Sequence, residues 1–93
     1  MSVGDITYDT DPVGRSGNVN VLHGQIECDT AKRPFAILST NSRILRCTLQ
    51  DIDDDPAYAS CIINENASAV AVNGTIAVDS SGTHTYAFRA EFV

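Results

Sequence analysis

The chain has no tryptophan, a single methionine, three phenylalanines and three tyrosines among 93 residues. With so few rings, the core has to be built largely from aliphatic side chains. Tyr8, Tyr58 and Tyr86 also lack the spacing of a base-stacking platform. Basic residues are scarce: six face twelve acids, for a formal charge of -6. Affinity for a phosphate backbone comes from clustered Lys and Arg, so nucleic acid is excluded as the expected partner. The one adjacent basic pair, Lys32-Arg33, is too small to change that, and Arg43 and Arg46 fall on opposite faces of a regular strand.

Long apolar runs are missing too. Met1 to Asp5 has neither the basic region nor the apolar stretch of a secretory signal, and no later stretch suits a bilayer-crossing helix. The expectation is no membrane association and a soluble, reducing, cytoplasmic site of synthesis. Asn66-Ala67-Ser68 and Asn73-Gly74-Thr75 match the glycosylation pattern but are set aside for the same reason. Cys28, Cys47 and Cys61 are widely spaced, odd in number and flanked by apolar residues, which reads as three small buried hydrophobes and not a disulfide framework. No Cys-x-x-Cys pair offers a zinc site. No nucleophile elbow, phosphate loop or His-Glu-x-x-His pattern accompanies His23 or His84. The chain is therefore expected to be no enzyme and to need no cofactor.

Helical periodicity is absent, and period-two alternation broken by Gly, Asn, Asp and Ser takes its place. The fold class that follows is all-β: a small antiparallel sandwich or partly open barrel of about six or seven strands. Residues 1–17 read as an N-terminal edge strand or arm (Val3 to Tyr8) plus a turn-rich loop from Thr10 to Asn18. Residues 18–93 read as one β domain. Strands are expected at Asn18 to Cys28, with a bulge near Leu22 to Gly24, and at Phe35 to Thr40. A further one, Arg43 to Ile52, carries Leu45, Cys47 and Leu49 on its apolar face, and another runs from Ala59 to Asn64. Asn73-Gly74 resembles a hairpin turn, yet a turn there would split the apolar set. The strand is expected to run straight on from Ala69 to Asp79, placing Val70, Val72, Ile76 and Val78 on one face. A loop of Ser80-Ser81-Gly82 then pairs it with Thr83 to Val93 as a long C-terminal hairpin, with Phe88 covering Gly74.

The acidic run Asp51-Ile52-Asp53-Asp54-Asp55-Pro56 supplies the only metal candidates, Asp51, Asp53 and Asp55. Pro56 stands where an EF-hand needs Gly and Ile62 where it needs Glu, so no metal site is assigned. Asp53, Asp54 and Asp55 are partner-contact candidates for a basic surface. Val3, Ile6 and Tyr8 of the arm, and Phe92 and Val93 at the other terminus, are further contact candidates.

A Gly-bearing N-terminal strand, Gly-punctuated polar strands and a closing hairpin from Asn73-Gly74-Thr75-Ile76 to Arg89-Ala90-Glu91-Phe92-Val93 resemble the small β-rich head proteins of tailed bacteriophages. The resemblance covers most of the chain as a layout and contains no diagnostic motif, so no functional residue is carried over from it. It implies a virion component that decorates or cements the capsid, a homotrimer in contact with the major capsid or another virion protein. The alternatives are a carbohydrate- or protein-binding β module of a host-recognition apparatus, or a small hydrolase.

Overall fold

Alternating apolar residues favour strands because one face of each can be buried while the other stays wet. The computed structural model describes residues 2–29, 31–52 and 59–93. Their seven strands are β1 (Ile6–Ser16), β2 (Val19–Cys28), β3 (Arg33–Ala36), β4 (Ile44–Asp51), β5 (Ala59–Glu65), β6 (Ala71–Ser80) and β7 (His84–Phe92). They form two antiparallel sheets, of order β1-β2-β7-β4 and β3-β6-β5, stacked as a sandwich without barrel closure.

Between the sheets lies the core. Leu22, Ile26 and Cys28 of β2, Ile44 of β4, and Tyr86, Phe88 and Ala90 of β7 meet Phe35 of β3, Ile37, and Ile76 and Val78 of β6. Burying a Val, Leu, Ile or Phe side chain contributes about 1.5 to 3 kcal/mol. These inward rows are therefore the main stabilising term.

The C-terminal hairpin does not form. β6 pairs with β3 and β5, while β7 pairs with β2 and β4. The chain between them crosses from one sheet to the other. Ile76 and Val78 still share a core with Tyr86 and Phe88, but they meet those residues across the sandwich and not side by side. Ser80 ties down the crossing: its Oγ donates to the Gly82 carbonyl at 2.6 Å and lies 2.7 Å from the Tyr86 hydroxyl.

Phe88 does cover a strand glycine, but the glycine is Gly24, its cross-strand partner in β2. A Cβ on Gly24 would stand 2.8 Å from the Phe88 ring and 2.6 Å from the Thr7 carbonyl. Gly74 has a different task. β6 does run straight through it, but its φ of +81° is left-handed, and the Leu38 and Ser39 carbonyls press on the space a Cβ would fill. That irregularity breaks the alternation, so Val72 is half-buried and Val70 is exposed instead of facing the core.

Three other expectations are corrected. The segment from Thr10 to Ser16 is strand, not loop. Asp9 to Pro12 form a bulge opposite His23, where Pro12 owes the ladder no N–H, and Gly17-Asn18 turns the chain into β2. The bulge thus lies in β1, and β2 is regular against β7 from Asn20 to Cys28. In β4 an irregularity between Ile44 and Arg46 turns Leu45 outward and gives Ile44 the core position.

The two edges of the sandwich are closed differently. On one side the Tyr8 hydroxyl of β1 donates to the Ile37 carbonyl beyond β3 at 2.9 Å, and its ring stands edge-on to Phe88. On the other, Asn64 of β5 adopts a left-handed φ of 56° and turns its amide onto β4. Its Oδ1 accepts from the Ile44 amide at 2.9 Å and its Nδ2 donates to the Ile44 carbonyl at 2.7 Å. One side chain thus does the work of a backbone pair between the sheets.

Gly74→Ala is expected to cost roughly 2 to 4 kcal/mol, from left-handed strain plus the collision with the Leu38–Ser39 backbone. Urea unfolding measures it, and a loss below about 1 kcal/mol would show that this approach is not constrained.

Candidate functional site

The outward faces of the two sheets differ in chemistry. Pairing places Pro34, Ala77 and Ile62 in one row across the outside of the small sheet, with Ala36 beside Thr75 in the next. Ala77 and Thr75, though turned away from the core, are 1% and 6% exposed, while Ile62 is 41% exposed. This face carries short side chains around Ile62, with polar groups at Thr75 and at Ser60 and Asp79, which pair at one end. An antiparallel sheet ordinarily sends polar side chains to its wet face.

The large sheet does so. Arg46, Glu91 and the buried Val21 form one cross-strand row, His23, Arg89 and Thr48 the next, and Gln25, Ala87 and Gln50 a third. Arg89 Nη1 donates to Glu91 Oε1 at 2.8 Å. Because Ala87 is short, the face dips into a trough of about 530 Å³ lined by His23, Thr48, Leu49, Gln50, Ala87, Phe88 and Arg89. These groups can donate and accept hydrogen bonds along a polar ligand. His23 and Thr48 stand two strands apart, roughly 10 Å between backbones, and Arg89 lies between them.

A second polar cluster sits at the end of the sandwich where β6 crosses to β7. His84 Nδ1 lies 3.2 Å from Asp51 Oδ2, and that carboxylate is 5% exposed. Asp51 is therefore turned inward at the end of β4, away from the role of an outward metal ligand. Ser80 is engaged with Tyr86 and Gly82. This ties the acid to a histidine, a link that sequence spacing did not reveal, since the two residues come from different strands of the same sheet.

Of the other contact candidates, Asp53, Asp54 and Asp55 lie outside the described residues. Ile6 and Phe92 are half-buried against the core. Val3 is half-buried ahead of β1. Val93 is exposed, its backbone bonded in both directions to Arg43. Tyr8 is engaged within the fold through Ile37 and Phe88. Among the described residues, no three His, Cys, Asp or Glu side chains converge as a metal site. The outer face of the small sheet was missed by sequence reading. Its signal was present in the small outward residues Pro34, Ala36 and Ala77, but recognising it required knowing that those strands are neighbours.

Titratable groups follow their surroundings. Burial pushes the Cys28 thiol up to about 12, with Asp29 adding to the effect. Burial also raises the Tyr8 phenol. The Ala31 amide, 3.0 Å away, is the main cause holding the Asp29 carboxyl below its ordinary value, aided by Arg33 at 3.2 Å. Cys47 and Cys61 are close enough to share a hydrogen bond, which raises the first and lowers the second.

No protein-family model, curated protein or solved structure matches the chain. Its fold and surfaces alone define it as a seven-stranded β-sandwich whose two outer faces differ.

Cys28 carries a pH signature. Its folded value lies above the ordinary 9.0, so the stability it contributes is complete below pH 9 and is lost as pH rises toward about 12. Thermal melts are expected to fall across that window in the wild type and to fall less steeply in Cys28→Ala. Parallel slopes would assign the alkaline loss to other groups.

Proposed function

We propose that this chain is a non-enzymatic structural protein of a bacteriophage virion, which decorates or cements the capsid as a homotrimer through protein–protein contacts. The observation that carries this reading is Ile62, 41% exposed on the outside of the small sheet in one row with Ala77 and exposed Pro34. Exposed Pro34, Ala36 and Ile62 on that face offer apolar area that another protein surface could cover. A formal charge of -6 disfavours nucleic acid and anionic lipid as the occupant, which leaves a protein surface. The polar large sheet then faces solvent. Pro12 and its bulge guard the edge of β1, and Pro34 guards short β3. Contact is thus made by faces and not by strand addition. In a symmetric assembly, many weak contacts of this kind add up to firm retention. The sequence layout that resembles phage head proteins, less its closing hairpin, which does not form, is what suggests the assembly.

Gene neighbourhood tests the setting: a major capsid gene alongside supports it, and a sugar-processing cluster overturns it. Heads assembled from that capsid protein are then sedimented with wild-type chain and with Ile62→Glu. The wild type is expected to co-sediment. Ile62→Glu, with an unchanged circular-dichroism spectrum, is expected to bind at least about tenfold more weakly. Equal retention of the two would remove the small sheet from the interface.

A second reading, a carbohydrate- or protein-binding module of a host-recognition apparatus, is favoured by the polar trough over Ala87. On that reading, purified host-surface polysaccharide binds the chain in calorimetry and Arg89→Ala weakens it about tenfold. No heat of binding with wild-type chain would dismiss it.

A further inference from the structure

The edge where β4 meets β5 holds chemistry that the docking face does not use. The paired hydrogen bonds from Asn64 fix Ile44 beside it. From that anchor the two strands run toward the chain that joins them, and Cys47 lies three residues after Ile44 as Cys61 lies three before Asn64. β4 has an extra residue on this stretch, between Ile44 and Arg46, whereas β5 pairs regularly with β6 from Cys61 to Ile63. Cys47 pairs with Ala90 and Cys61 with Val78, both partners lying in the core, so each thiol leans inward at the same number of residues from the Asn64–Ile44 anchor and within hydrogen-bond reach of the other. Both side chains point inward, packed against the core from opposite sheets, and both stay half-exposed. A disulfide needs this kind of approach by two inward-leaning Cβ atoms.

We propose that Cys47 and Cys61 form an inter-sheet disulfide on exposure to an oxidising environment, closing the β4–β5 edge of the sandwich covalently. The oxidant is a low-molecular-weight disulfide such as oxidised glutathione. The hydrogen bond from Cys47 favours the thiolate at Cys61, so Cys61 attacks first. Its sulfur bonds to one sulfur of the oxidant, and the other leaves as a thiolate. Cys47 then loses its proton and attacks the Cys61 sulfur, expelling the second thiolate. Two cysteine thiols have been oxidised, one small disulfide has been reduced to two thiols, and the protons pass to the departing thiolates. Cys28 is fully buried and held protonated, so it stays out of the exchange. In a reducing compartment the pair remains as thiols, and on leaving it the pair closes.

Reduced full-length protein is incubated with oxidised glutathione, alkylated after unfolding and weighed intact. The expected product has lost two hydrogens, takes one alkyl group, and yields on digestion a cross-linked peptide pair holding Cys47 and Cys61. Because the closed loop is short, about 15 residues, its melting temperature rises on the order of 10 °C and returns when dithiothreitol is added. Cys47→Ser, which keeps a hydrogen-bond donor beside Cys61, is expected to stop at a stable glutathione adduct on Cys61, and Cys61→Ala to leave Cys47 unmodified. Three alkylatable thiols after incubation, a link through Cys28, or persistent glutathione adducts in the wild type would each overturn the proposal.

Discussion

The crossing of the chain from β6 to β7 is the constraint on which the rest of the molecule depends. If these strands paired, their apolar faces would lie side by side and need a second layer from elsewhere. By crossing, each carries its apolar row to the centre of a different sheet. Ile76 and Val78 then close over Tyr86 and Phe88, and every other strand adds to one of two rows already facing each other. Ser80, bonded to Gly82 and Tyr86, holds the corner where a paired turn would otherwise form.

A sandwich built this way has four strand edges, and unpaired edges invite association. Here they are joined two by two. Tyr8 reaches the carbonyl of Ile37 on one side, and Asn64 hydrogen-bonds both backbone groups of Ile44 on the other. The second closure has a consequence for redox chemistry, because the two strands that meet at the Asn64 amide also bring Cys47 and Cys61 within hydrogen-bond reach. The outer faces differ: the small sheet exposes Ile62 and Pro34, whereas the large sheet carries Arg46, His23, Arg89 and Gln50, and this two-sidedness is the physical basis for proposing a contact protein.

Much of the fold was legible in the residues. Alternation put Ile76 and Val78 on the core face of β6, and the doubt over Asn73-Gly74 as a turn was justified, since β6 runs through both. Phe88 was read as an aromatic covering a glycine, which it is, though the glycine is Gly24. The errors share a cause. A period-two pattern says which side of a strand is buried, and it is silent on which strand lies alongside. Pro12 and Gly14 looked like loop because a bulge at an edge tolerates the same residues as a loop. The candidate surface escaped notice because Pro34, Ala77 and Ile62 are far apart in sequence and become a row only through two separate strand pairings.

The sequence by itself determined the class, all-β, and the identity of most core side chains, because burial of one face of a strand is a local property of alternating residues. It also determined the acidic charge, from which no affinity for a phosphate backbone is expected. Tertiary structure alone decided the rest: that β6 and β7 belong to different sheets, that Asp51 meets His84, that Cys47 stands beside Cys61, and that the two outer faces differ. Each of these is a relation between residues on different strands, set by how two twisted sheets share one small core, and no local pattern encodes it.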